Sequence, residues 1–217
     1  MIDLHTHTLF SDGELIPAEL TRRAAAAGYQ AIAMTDHGDM SNLDLIIPRV
    51  LRVTEDLGRA WGLTVMAGIE LTHVPPTQIA KAAGEARNLG AQVVIVHGET
   101  IVEPVAPGTN RAAIEAGVDI LSHPGMLSEE DAALAAERGV CLELTTRKGH
   151  SLTNGHVARL ALEYGATRVV KDDAHRPGDL LNPEQVRKIV LGAGLTENQA
   201  DQVFANSVAL VEKLLKR

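Results

Sequence analysis

The sequence predicts an α/β fold, a seven-stranded or distorted (β/α) barrel, on three observations. Seven short apolar runs alternate with helix-like stretches, the connections between them are short, and the chain is smaller than eight such units require. Alternation of this kind implies a mainly parallel sheet, and closing that sheet makes a barrel. An eight-unit barrel takes about 250 residues, whereas this chain has 217. Composition agrees. Hydrophobic residues make up 45% of the chain and aromatic residues only 2%, so a large core must be built from Ala, Val, Leu and Ile. Such a core suits repeated strand–helix packing better than a sandwich, whose strands favour aromatic residues.

Taken in order, strands are expected at 2–5, 31–35, 64–69, 92–97, 118–122, 140–144 and 167–171. Helices are expected between them, for example at 17–27 and 76–89. The second has prolines in its first turn and stops at Gly90, which is the usual helix punctuation. Helices at 128–138 and 153–164 are each closed by a glycine, Gly139 and Gly165. No stretch reads as a linker, so a single domain is expected over 1–217, with the barrel at about 1–180 and two or three helices at about 183–217.

Several classes of function are disfavoured. No run of 18 apolar residues is present, which argues against a membrane span. The opening MIDLHTHT has neither a basic start nor an apolar stretch, which argues against secretion. The single cysteine, Cys141, rules out an internal disulfide. A cytoplasmic protein is therefore expected, with homo-oligomerisation left open. The formal charge of −8 opposes binding to long nucleic acid. It does not oppose a small anionic substrate, because bound metal ions reverse the local sign.

The informative residues are the histidines and acids at strand ends. His5 ends the first strand and His7 follows two residues later, and residues i and i+2 of an extended chain face the same side. His37 follows the second strand, Glu70 the third, His97 ends the fourth and His123 follows the fifth. Asp173 and His175 follow the seventh, again two apart. In a parallel barrel all the C-terminal strand ends meet on one face, where active sites are built. Singly, each residue has an ordinary explanation. A lone histidine is usually a hydrogen-bonded structural residue, Glu70 caps the next element, Asp12 is a turn acid and Asp173 a solvated loop residue. Those accounts do not explain recurrence at the same end of successive strands. Asp36 adjoins a candidate ligand on extended chain, so it is expected to point away in a supporting role. His73 is read as loop-structural, His156 as the start of a helix face, and His150 as within reach of a substrate.

These residues resemble the PHP (polymerase and histidinol phosphatase) family. The matching motifs are HTHTLFSDG at 5–13, TDHG at 35–38, His97 in VIVHGET, His123 in SHPG, and Asp173-Ala174-His175. The resemblance covers roughly residues 1–180. It implies a PHP-type distorted seven-stranded barrel carrying two to three divalent ions of the zinc, manganese or iron type. By motif, it assigns His5, His7, Glu70 and Asp173 to one ion and Asp12, His37 and His175 to a second. Glu70, His97 and His123 fall on a third, so that Glu70 bridges. Some relatives carry a histidine where this chain has Asp12, and an oxygen ligand there shifts preference toward a harder ion such as manganese. Arg147-Lys148-Gly149 resembles a stretch of the bacterial phosphatase branch that helps hold phosphate, which makes Arg147 and Lys148 phosphate-contact candidates.

Charge favours an anionic substrate. Asp12, Glu70 and Asp173 supply three negative charges against six from three divalent ions, leaving the cluster at about +3. The expected activity is hydrolysis of a small phosphate monoester, histidinol phosphate or a nucleotide-like compound, by a metal-activated hydroxide. Glu70 is the central catalytic candidate, and a metal-bound water or His150 is the candidate proton donor. Two other readings stand beside it: a metal-dependent amidohydrolase, whose barrels also open with His-x-His, and a non-catalytic metal-stabilised scaffold.

Overall fold

The computed structural model describes residues 1–217. Its strands are β1 (Ile2–Asp3), β2 (Ala31–Met34), β3 (His37–Gly38), β4 (Thr64–Leu71), β5 (Val93–His97), β6 (Ile120–Ser122), β7 (Cys141–Thr145) and β8 (Arg168–Lys171). Seven of them run parallel in the order β1-β2-β4-β5-β6-β7-β8, and β3 pairs separately with the upper end of β4. A bridge between Thr6 and Ala174 nearly closes the ring. There the His7 N–H donates to the Ala174 carbonyl at 2.9 Å, and the Ala174 N–H donates to that of His5 at 3.3 Å. The expected distorted seven-stranded barrel is the observed architecture.

Boundaries differ where side chains intervene. Regular pairing of the first strand lapses after Asp3, because the Asp3 carboxylate accepts the His5 N–H at 3.1 Å in place of a ladder partner. Glu70 does not follow its strand. The short β3 sets His37 opposite Glu70 and carries the pairing of β4 on to Leu71.

Helices α1 (Pro17–Ala26), α2 (Leu43–Trp61), α3 (Pro76–Asn88), α4 (Thr109–Glu115), α5 (Glu129–Arg138) and α6 (Asn154–Tyr164) lie between the strands. The tail forms two helices, α7 (Pro183–Gly192) and α8 (Glu197–Leu214). Helix α2 tolerates Pro48 in its interior. Its buried stripe of Leu43, Ile46, Ile47 and Val50 offsets the lost backbone bond.

The core has two shells. Alternate strand residues such as Ile32, Met34, Ile69 and Leu142 pack outward against the helices, while Ala31, Ala33, Met66, Ile95, Ile120 and Val169 fill the barrel. Leu210, Val211 and Leu214 of α8 join the inner set, so the last helix plugs one end of the barrel. The opposite end is left to polar residues. No helix is long and apolar enough to cross a membrane.

Candidate metal centre

The β-to-α loops bring all nine residues singled out as metal ligands to one end of the barrel. His5 and His7 follow β1 and Asp12 lies in the loop beyond. His37 comes from β3, Glu70 from β4, His97 from the end of β5 and His123 from beyond β6, while Asp173 and His175 follow β8. Their nitrogen and oxygen atoms form overlapping groups in which all lie within 4.8 Å of one another. One group is His7, Asp12, His37 and His175. The others are His5, His7 and Glu70; His5, His123 and Asp173; and His97, His123 and His150. The first contains the three residues assigned by resemblance to the second ion. In the last, His150 stands where the resemblance put Glu70.

Separations between the atoms suit shared cations. His5 Nε2 lies 3.1 Å from Glu70 Oε1, His7 Nε2 3.2 Å from Asp173 Oδ1, and His175 Nε2 3.2 Å from Asp12 Oδ1. Ligands bonded at about 2.0–2.2 Å to one tetrahedral ion sit about 3.4 Å apart. A second observation favours the same reading. His5 Nε2, both ring nitrogens of His7 and His123 Nδ1 are buried without a hydrogen-bond partner. Orphaned buried polar atoms are costly and rare in folded proteins, and ion coordination satisfies them. The donor set therefore fits divalent metal ions.

Strand-end backbone is bent to aim these groups. His123 and Asp173 adopt positive φ of 24° and 51°, a conformation that non-glycine residues hold only when their surroundings enforce it. Gly98, next to His97, is pressed against the neighbouring loop, where a Cβ would meet the Ser122 carbonyl oxygen at 2.3 Å.

Electrostatics leave the carboxylates ionised. Burial opposes ionisation of Glu70 and Asp173, but the surrounding imidazoles, His5 foremost, hold both well below the ordinary range. Asp12 is likewise held down against its burial, by His175 and His37. The imidazoles diverge. Burial pushes His7 down to about 4. His5 is raised despite its burial by Glu143, Glu70 and Asp173. His37 is raised against burial to about 10 by Asp12 and Glu70. A ligand imidazole must be neutral, so loading ions at pH 7 has to displace the protons of His5 and His37. Proton release on metal binding, and affinity that weakens as pH falls, are therefore expected. Calorimetry in buffers of different ionisation enthalpy measures both, and proton-neutral binding at pH 7 would contradict this account.

A supporting layer surrounds the candidate ligands, and sequence reading found only part of it. Asp36 points away from the centre as expected, accepting from Thr8 N (2.7 Å), Thr8 Oγ1 (2.8 Å) and Ser11 Oγ (2.7 Å) and so shaping the first loop. Glu143 went unnoticed. It is fully buried on β7, and its Oε2 lies 2.7 Å from His5 Nδ1. The available signal was an acid inside the apolar run Cys141–Thr145. Ser122 Oγ donates to Glu70 Oε1 at 2.8 Å, and Thr72 Oγ1 lies 2.7 Å from His37 Nδ1. A carboxylate behind a ligand imidazole fixes its tautomer and raises its basicity. Glu143→Gln is expected to weaken metal binding by about 10–100-fold with the fold retained, as read by chelator competition. Wild-type affinity in that variant would remove Glu143 from the centre.

The expected substrate residues separate. Arg147 reaches the cluster, with Nε 3.6 Å from Asp173 Oδ2 and Nη1 3.5 Å from Asp179 Oδ2. It also lines an adjoining cavity of about 410 Å³ together with Lys148 and Arg176. Lys148 faces that cavity and not the cluster. His150 is buried beside the cluster, its Nδ1 held 2.8 Å from Thr100 Oγ1. His156 bonds the Leu127 carbonyl at 2.7 Å, outside the centre. Glu103, on the loop between β5 and α4, was also missed. Its carboxylate lies 3.2 Å from His97 Nε2 and 3.5 Å from that of the half-exposed His73.

Known proteins resemble this chain in sequence and in fold. The family model described as PHP domain matches residues 3–117. An uncharacterised protein of Methanocaldococcus jannaschii is 46% identical, with 99% of this chain and 98% of that one covered. A ribonuclease P protein component 3 of Methanosarcina barkeri is 29% identical over 87% of this chain and 79% of its own length. A probable phosphatase of Shewanella sp. (strain ANA-3) is 32% identical over 80% and 76%. Among solved structures, histidinol phosphate phosphatase of Lactococcus lactis, crystallised with zinc, L-histidinol and phosphate, superposes with a TM-score of 0.64. It shares 16% identity, with 90% of this chain and 94% of that chain covered.

Proposed function

Because the chain belongs to the PHP domain family, we propose that it is a metal-dependent phosphoesterase that hydrolyses a small phosphate monoester. The observation that carries this reading is the convergence of unpartnered buried imidazoles with ionised Asp12, Glu70 and Asp173 at one end of the barrel. Divalent ions bound there supply Lewis-acid polarisation of the phosphate and acidify water toward neutrality. The nine residues named above would hold those ions. Glu70 turns one oxygen to His5 and the other to His37. Ser122 and Glu143 keep Glu70 and His5 oriented.

Arg147 stands where cluster and cavity meet, so its guanidinium is placed to bind phosphate oxygens. The adjoining cavity takes the organic half of the ester. Its volume suits a small-molecule ligand, and its lining is polar apart from Leu181. Lys148 and Arg176 are the cations placed to contact that half. A small polar ester agrees with the chain's charge of −8 better than a long nucleic acid does.

The test is a phosphate-release screen of histidinol phosphate, nucleoside monophosphates and short oligonucleotides, with manganese, zinc and iron supplied in turn. Metal-dependent monoester turnover is expected, with Arg147→Ala raising KM about 10-fold or more. Fully metal-loaded protein that releases phosphate from none of these compounds would refute the proposal. Opening of amides or lactams under the same conditions would point to an amidohydrolase, and oligonucleotide cleavage alone to a nuclease.

A further inference from the structure

We infer that Asp3 is a positioning residue, whose buried carboxyl group clamps the first strand to the last at the seam where the barrel closes and so sets the spacing of the candidate ligands on either side. The inference rests on the metal-centre reading above and concerns what holds that centre in shape.

The seam is the weak joint of the ring. Neighbouring strands elsewhere share a paired register, from Ile2 with Ala31 round to Thr145 with Lys171, whereas β1 and β8 share none. What joins them is the bridge of Thr6 and Ala174. Four ligand candidates nevertheless flank that bridge, His5 and His7 on one side and Asp173 and His175 on the other. Two groups with donor atoms within 4.8 Å of one another straddle it: His5, His123 and Asp173, and His7, Asp12, His37 and His175. Metal–ligand distances are held to within about 0.2 Å, so a site built across this seam needs the two strands fixed closely.

Asp3 supplies that tie. It is fully buried, and its Oδ1 accepts the His5 N–H at 3.1 Å and the Asp172 N–H at 3.3 Å. One oxygen therefore spans the seam beside the bridge. On one side it holds the backbone of the first candidate ligand, and on the other that of the residue before Asp173. Backbone amides are the groups that a missing ladder leaves unpaired, and when buried they demand an acceptor. A carboxyl oxygen between the strands satisfies both, and an apolar side chain would satisfy neither. Lys171 crosses the same seam from β8, its Nζ donating to the Ile2 carbonyl at 3.3 Å. Asp3 Oδ2 is left buried without a hydrogen-bond partner, a cost that an apolar residue at this place would avoid. The side chain thus acts on the ligands through their backbone and not by touching their donor atoms.

The experiment compares the wild type, Asp3→Ala and Asp3→Asn by zinc affinity under chelator competition and by the visible absorption of the cobalt-loaded proteins. Alanine removes the acceptor, whereas asparagine keeps an oxygen and loses only the charge. Asp3→Ala is expected to bind zinc about 10–100-fold more weakly, the range for residues that orient ligands, with an altered cobalt spectrum. Asp3→Asn is expected to recover the affinity and spectrum of the wild type. Thermal unfolding of the metal-free proteins separates fold from site. A lowered melting temperature in Asp3→Ala with unchanged zinc affinity and cobalt spectrum would overturn the inference and leave the phosphoesterase reading standing. Equal weakening in Asp3→Asn would overturn it as well, since a shared acceptor would then not be what matters. Hydrogen exchange in the wild type needs no variant to fold. The His5 and Asp172 amides are expected to resist exchange as strongly as the bridging amide of His7, and rapid exchange at either would remove the clamp. Wild-type protein that binds neither zinc nor cobalt would overturn the metal-centre reading itself.

Discussion

Glu70→Gln is expected to lower turnover by at least about 100-fold and to cost at least one metal equivalent, since even an outer partner of a ligand is worth 10–100-fold. Glu70 is fully buried on β4 and uses both oxygens. Oε1 accepts from Ser122 Oγ at 2.8 Å and lies 3.1 Å from His5 Nε2, while Oε2 lies 2.8 Å from His37 Nδ1 and 3.7 Å from His7 Nε2. The amide keeps the shape of the side chain but loses its charge and turns one acceptor into a donor. Imidazoles on both sides then face a group that neither neutralises them nor bridges cations. Metal analysis and phosphate release on the same preparation test this. Wild-type ion content together with wild-type turnover would count against the whole arrangement.

Lys171→Met is expected to destabilise the protein by about 3–5 kcal/mol, the range for removing one partner from a buried ionic cluster. Lys171 is fully buried at the end of β8, on the same strand face as the barrel-filling Val169. Its Nζ donates to the Ile2 carbonyl at 3.3 Å and to Ser207 Oγ of α8 at 3.2 Å. Burial lowers its pKa, and the charges of Asp3, Glu143 and Asp172 oppose that fall. Burial likewise raises Asp3 well above the carboxylate range, and Lys171 draws it back. Asp172 is raised by burial to about 6, with the Tyr29 hydroxyl donating to it among the opposing influences. Methionine fills the volume but leaves these acids without their cation. Denaturant unfolding at pH 7 reads the difference, and a change below 1 kcal/mol would show that the acids are neutral in the native barrel.

Much of this was legible before any coordinates. The strand–helix alternation, the helix stops at Gly139 and Gly165, and the recurrence of His, Asp and Glu at strand ends are local patterns. Side-chain alternation and punctuation by glycine and proline depend on neighbours a few residues away, so residues alone reveal them. Once the strands are parallel, their C-terminal ends must share a rim, and nine separated residues converge without further information.

Pairing between remote groups was not legible. That His5 rests on Glu143, that Glu70 sits opposite His37 through the added strand β3, and that Glu103 approaches His97 and His150 all depend on register and loop path. Lys171, the last residue of β8, is enclosed because α8 returns to plug the barrel beneath it. Residue type and spacing decided that this chain would gather a cluster of imidazoles and acids. Tertiary packing decided which acid each imidazole meets, because such a contact is set by how strands align and where loops land, and no local pattern encodes either.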